Sequence, residues 1–385
     1  MSKRRRRNTR ARDTASPARE QASSSRVDEA SAGRAEAPRQ EGDAGAIAPA
    51  APPRKRGPAR RAWDAWVELW DRREPATALA LCRIMVAGAL LADLLQARSY
   101  GLIDTIWAPP PDGLGWGMQG SRAAAAARWL GATASTGALL WWTAAVSAVL
   151  VIAGVATRAA ILVLALTWAQ LGHFAPDSDR GIDFMLRAVL LVLVFSQCNA
   201  CWSVDAWFRR RIGRPFPSVV PSWPRYLIFA QLLWIYFSAG HNKTDKAWGP
   251  LGDFVALANI LTDPHFARFD PSWVATFFPL LQLAALATIV FELTSPVMIL
   301  LTWWHATRDR PGRLRRLSSV LRLRWVWILT GLSFHLGIAV TMRLGIFPWG
   351  MIALYPALFR PDEISRAIAW LQSRIPRGIS RSPSG

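Results

Sequence analysis

The chain has 385 residues, 46 Lys or Arg against 26 Asp or Glu, and is 52% hydrophobic with 21 Trp. A net charge of +20 raises the question of nucleic acid, but no RNP, zinc-finger or helix-turn-helix pattern accompanies it, and the basic residues sit beside the ends of apolar runs. Three cysteines (Cys82, Cys198, Cys201) build no disulfide framework, and Cys198-Asn-Ala-Cys201 lacks the second pair a structural zinc needs, so these read as ordinary thiols.

Residues 1–61 hold 16 Lys or Arg against 7 Asp or Glu and no aromatic residue. Such a stretch cannot bury enough apolar surface to offset its chain entropy, which predicts a disordered basic tail. It is no secretory signal, because Lys3–Arg7 leads into no apolar core. Over 62–76 follows an amphipathic segment with Trp63, Trp66, Val67 and Trp70 on one helical face, the pattern of a helix lying in the membrane interface, stopped by Pro75.

A bilayer-crossing helix needs about 20 apolar residues, somewhat fewer when short or broken. Eight runs qualify: 77–97, 137–156, 159–175, 183–198, 226–240, 278–303, 325–341 and 345–358. The expected fold is therefore an all-α, polytopic helical membrane bundle of about eight spans over 77–360, with a cytoplasmic helix and tail over 361–385. The connections alternate in charge. The tail, Arg158, Arg209–Arg211, the Arg308–Arg324 cluster and the Arg360–Arg381 segment fall on one side, and the Lys/Arg-poorer segments around Arg98–Arg128, Asp177–Arg180 and Lys243–Arg268 fall on the other. The positive-inside rule then puts both termini in the cytoplasm, in a cell (inner) membrane, with the bilayer as the certain partner. No internal repeat suggests a transporter built from inverted halves.

Ionisable residues inside spans are costly, and each implies pairing or function. The first run carries Arg83 and Asp93, too far apart to pair on one helix. The fourth opens with Asp183 and Arg187, four apart and able to pair. The sixth contains Glu292. Either these form an interhelical network that fixes packing or they line a ligand cavity. The densest stretch is Tyr236 to Trp248, continuing through an apolar, helix-like run over 251–261. In a helix Tyr236, Gly240 and Lys243 share a face, and Gly240 leaves room between the aromatic ring and the ammonium. A half-desolvated lysine can serve as base or nucleophile, with His241 and Asp245 beside it; otherwise it snorkels to the headgroups. His173, His241, His265, His305 and His335 form no HxxxH or HxH pair, so no metal site is expected.

Ala239-Gly240-His-Asn-Lys243-Thr-Asp245-Lys-Ala-Trp248 resembles the AG-x-x-K-x-D-x-x-W segment of the vitamin K-dependent gamma-carboxylase membrane domain and of the related bacterial HTTM (horizontally transferred transmembrane domain) family. Arg83 in the first span, Trp202-Ser-Val-Asp205 after the fourth, Glu292-Leu-x-x-Pro296 in the sixth, and His335 followed by Ile346-Phe-Pro-Trp349 match in order. The resemblance implies that Lys243 is the base that deprotonates a hydroquinone. It also implies that Tyr236, Gly240, Trp248, Arg83, Asp183, Arg187, Glu292 and His335 surround a quinone-like or other lipophilic ligand. Ile182 and Asp183 stand where the carboxylase has a functional histidine, and the chain stops soon after its last span, where the carboxylase has a large soluble region. Protein gamma-carboxylation is therefore not expected. A membrane-embedded enzyme, a non-catalytic binding or assembly protein on the same scaffold, and a transporter remain, the last with least support. The sequence names neither a substrate nor an oligomeric state.

Overall fold

The structure, a computed structural model, describes residues 57–108, 110–115 and 125–374. The tail expected over 1–61 thus lies, up to residue 56, outside the described residues, as does the end of the C-terminal segment. The chain opens on helix α1 (Pro58–Asp71), with Pro58 in its first turn, where a missing N–H costs nothing. Trp63 and Trp66 are exposed on it. The helix starts before residue 62 and stops before 73, because Arg73–Glu74 (β1) pair antiparallel with Val220–Pro221 (β2).

Helix α2 (Thr77–Ser99) follows and is the buried centre of the bundle. Leu79, Cys82, Val86, Leu90 and Leu94 are almost wholly covered. After the short helices α3 (Ile103–Trp107) and α4 (Ala125–Leu130), α5 (Ala134–Ala153) and α6 (Thr157–Phe174) form an antiparallel hairpin. Thr133 caps α5 by accepting the Thr136 N–H. Gly154 closes it at φ 72, a conformation that costs glycine little. Trp141 on α5 donates its indole N–H to the Leu94 carbonyl of α2. Then come α7 (Gly181–Phe195), α8 (Val204–Arg211) and α9 (Trp223–His241).

The segment after α9 is not one apolar helix. Asp253 and Phe254 both have positive φ, which separates a short 3-10 turn at Pro250–Gly252 from α10 (Ala256–Thr262). After α11 (Trp273–Thr276), the sixth apolar run is two helices, α12 (Phe278–Leu293) and α13 (Val297–Ala306), bent by 66° at Thr294-Ser-Pro296. Pro296 cannot donate to the α12 ladder, and the Ser295 hydroxyl donates instead to the Leu233 carbonyl of α9. The chain ends with α14 (Arg313–Val320), α15 (Leu323–Thr341), α16 (Phe347–Ile352), a 3-10 turn at Tyr355–Leu358, and α17 (Pro361–Arg374).

Apart from two two-residue strands, the regular structure described is helical. Among the described residues, α2, α5 and α15 are long and apolar enough to cross a membrane, and the bent α12–α13 pair makes four when read as one span. Large apolar side chains such as Trp142, Leu166, Phe195, Trp234, Leu283 and Leu329 face outward. Such a continuous apolar exterior suits acyl chains, not water.

Candidate functional site

Lys243 lies just past the end of α9, with Asn242 as the C-cap residue. Its side chain turns back onto the bundle. The ammonium donates to both oxygens of Glu292 at 2.8 and 2.7 Å and lies 5.1 Å from the centroid of the Trp248 ring. The two side chains are 20% and 4% exposed, so the pair is largely shielded but the amine is still reachable. Glu292 occupies the last turn of α12, one turn before the Pro296 break.

Gly240 makes this pairing possible, though not by leaving a hole. A methyl group there would sit 2.9 Å from Glu292 Cβ and 3.1 Å from the Leu293 nitrogen. The bulk missing from α9 is therefore filled by α12, a close helix approach of the kind small residues allow in membranes. His241 and Asp245 do not join the pair: His241 is exposed with its ring stacked on Phe237, and the Asp245 carboxylate accepts the Ala247 N–H and caps a 3-10 turn.

Tyr236, one turn before Gly240, is buried. Its hydroxyl hydrogen-bonds with His335 Nε2 on α15 and with the Tyr355 hydroxyl, the latter at 2.8 Å. Phe291 and Trp327 pack on the Tyr236 ring. Tyr236 and His335 thus meet, and Phe291 connects them along α12 to the neighbouring Glu292. Tyr355 completes this polar cluster; sequence reasoning missed it, since one tyrosine in a short apolar run carries no signal of its partner.

Asp183 and Arg187 lie elsewhere and do not pair with each other. Arg180, the N-cap residue of α7, bridges Asp183 at 2.9 Å and Asp93 of α2 at 2.7 Å, while Arg187 pairs with Asp179 at 2.8 Å. The capping box explains the choice: Asp183 bends back to the Arg180 N–H at the start of the helix and so is unavailable to Arg187. Trp168 also donates to Asp183. Beside this network lies a cleft of about 250 Å³ lined by Tyr100, Trp107 and Trp168 as well as the acids.

Arg83 is a third, separate location. It is fully buried, and its Nη2 donates to the Trp202 carbonyl. Asp205, from the same Trp202–Asp205 segment, accepts from Asn199, from the backbone N–H groups of Ala156 and Thr157, and from the Thr157 hydroxyl. Lys243 with Glu292, Asp183 and Arg187 with their partners, and Arg83 therefore lie in three separate places rather than around one cavity. Among the described residues no group of three His, Cys, Asp or Glu gathers to hold a metal ion.

The HTTM domain matches residues 71–310 of this chain. The chain belongs to the HTTM domain family. No curated protein and no solved structure matches it. The HTTM match includes Arg83, Asp183, Tyr236, the Lys243–Glu292 pair and the α12–α13 break. His335 and Tyr355 come from helices beyond it, so the polar cluster around Tyr236 is completed by residues outside the matched HTTM segment.

Proposed function

We propose that this HTTM protein is a multi-pass inner-membrane protein whose Lys243–Glu292 pair acts as a base toward a lipophilic, quinone-like substrate. The observation that carries this is the two-oxygen Lys243–Glu292 bond at a broken span, shielded under Trp248 yet partly open. A proton passing from the ammonium to the carboxylate leaves a neutral amine beside a neutral acid. The amine lone pair can then take the O–H proton of a hydroquinone. The products are an ammonium and a substrate oxyanion, which the ammonium stabilises in place.

The topology proposed with it has eight spans: α2, α5, α6, α7, α9, α12 with α13, α15, and the 347–358 segment. Both termini are cytoplasmic, α1 (Pro58–Asp71) lies in the membrane interface, the HTTM-like membrane domain runs over 77–360, and a C-terminal helix and tail over 361–385. The Arg-rich α8 and α14 segments fall at one end of these helices and the Lys243 segment at the other, which agrees with the positive-inside rule.

The test uses a naphthohydroquinone probe added anaerobically to protein in detergent, with the absorbance change of the hydroquinone anion as readout. Wild type is expected to show the anion band. Lys243→Arg keeps a cation but cannot deprotonate near neutral pH, so it is expected to retain probe without the band. Absence of the band in the wild type would overturn the base. A second reading, a non-catalytic binding or assembly protein, is favoured by the separation of Arg83 and of Asp183 and Arg187 from Lys243. It predicts no anion band in the wild type and probe retention that Lys243→Arg leaves unchanged.

A further inference from the structure

The segment from Arg308 to Arg324 carries seven arginines and one acid, Asp309. Within it, α14 and its C-cap residue present Leu314, Leu317 and Leu321 at helical spacing, all more than half exposed. Arg315 folds over the Trp303 ring at 5.1 Å, tying α14 to the end of α13. Beside α14 lies a cleft of about 370 Å³ lined by His305, Arg308, Trp325, Arg360, Asp362, Glu363 and Arg366. Its acids are already engaged: Asp362 by Arg360 and Arg366 at 3.0 and 3.1 Å, and Glu363 by Arg324 at 2.7 Å. Arg308 has only a 4.0 Å contact with Asp309 and is 65% exposed. With the bonded Arg324 and Asp309 included, the cleft carries four arginines against three acids, an excess of positive charge.

This cleft lies at the end of the bundle away from Lys243. α15 runs from Leu323, beside Arg324, to Thr341, and Met342 beyond it bridges to Ala267 in the segment after Lys243. The HTTM match ends at residue 310, so His305 and Arg308 lie inside it while α14, Trp325, Arg360, Asp362, Glu363 and Arg366 lie beyond it.

We propose that this cleft binds the phosphate-bearing headgroup of an anionic phospholipid, with α14 lying in the headgroup layer as its cover. The apolar stripe Leu314, Leu317 and Leu321 enters the acyl boundary, and Arg308, Arg360 and Arg366 meet the phosphate. A basic helix with an apolar stripe binds anionic surfaces through both contributions together. Charge complementarity selects this occupant. A protein partner with an apolar groove would satisfy the leucines but leave the arginine excess unmatched.

The test is lipid retention by the full chain, reconstituted in nanodiscs of phosphatidylcholine with a minor share of phosphatidylglycerol and then extracted into detergent for mass spectrometry. The parent is expected to retain phosphatidylglycerol above its share. Arg308→Gln with Arg366→Gln is expected to lower that retention about five- to tenfold, since two near-surface cations are removed and screening discounts each. Both side chains are well exposed, so the fold should survive. Leu314→Ser with Leu317→Ser, which leaves the charges in place, is expected to lower retention of the same lipid. The basic segment before residue 57 is present in every variant and cancels in the comparison. Equal retention of both lipids by the parent, or unchanged retention in the arginine variant, would overturn the proposal. So would inorganic phosphate displacing the lipid at millimolar concentration, because the site would then serve a free anion.

Discussion

Gly240→Ala tests the reading that α9 and α12 touch to form the Lys243–Glu292 pair. The new methyl group would lie 2.9 Å from Glu292 Cβ and 3.1 Å from the Leu293 nitrogen. Neither is the far end of a flexible side chain, so one helix must shift. Overpacking of this kind costs about 1–3 kcal/mol. The better helix propensity of alanine returns at most about 1 kcal/mol, and less here near the C-terminus of α9. A net loss of about 1–2 kcal/mol follows. It is read as a lower melting temperature in detergent by tryptophan fluorescence. The shift should also lengthen the Lys243–Glu292 bond and weaken the hydroquinone-anion band. Gly88→Ala in α2 is the control, because nothing lies within 4 Å of its added methyl, and it should be neutral or stabilising. If Gly240→Ala melts with the parent and keeps the band, the close approach of α9 and α12 is wrong.

Arg225 and Glu74 form a buried pair of side chains 7% and 10% exposed, and Arg225 also donates to the Ala357 carbonyl. Glu74→Gln is expected to cost about 3–5 kcal/mol in a detergent melt, whereas Glu74→Leu with Arg225→Met should recover most of it. Burial opposes the charge of Asp205, but its hydrogen bonds from Asn199, Thr157 and Ala156 outweigh this and hold the carboxyl below its usual range. The stabilisation it contributes is therefore complete above pH about 4 and lost as pH falls through the lowered folded value. Asp205→Asn should reduce this part of the acid sensitivity and cost about 0.5–2 kcal/mol near neutral pH. Reporter fusions near Ser203 and Arg310 should read cytoplasmic and one near Asp270 should not, and a cytoplasmic signal at Asp270 would overturn the topology.

The helices were legible because apolar length and flanking arginines are local properties. The breaks were less so. The 278–303 run reads as one apolar span, and only Pro296 hints that it bends by 66°. The 251–261 run reads as one helix, yet Asp253 and Phe254 adopt positive φ, which aspartate tolerates but a bulky phenylalanine does not advertise. The end of α1 was hidden for another reason: the partner that draws Arg73–Glu74 into a strand, Val220–Pro221, is far away in sequence.

The candidate site shows the same division between what one element encodes and what its neighbour decides. Helical spacing correctly groups Tyr236 and Gly240 on a buried face of α9, but it carries no information about what lies opposite. Viewed from α9 alone, a glycine between an aromatic ring and a lysine looks like space for a ligand. With α12 in place, the same glycine is the point of closest contact, and Lys243 meets a carboxylate 49 residues away. Asp183 and Arg187 likewise sit at pairing distance along the helix, yet capping geometry draws Asp183 backward to Arg180 and frees Arg187 for Asp179. Intrahelical spacing lists the pairs that are sterically allowed; the competition among helix ends and neighbouring helices chooses among them. A ligand that reaches Lys243 must therefore enter beside the Glu292 bond, or displace it, instead of filling a space already present next to Gly240. That requirement makes Glu292→Gln informative. It removes the charge that holds the ammonium while keeping the side chain's shape, so binding that persists with a lost anion band would assign proton acceptance to the pair and leave ligand contact to its surroundings.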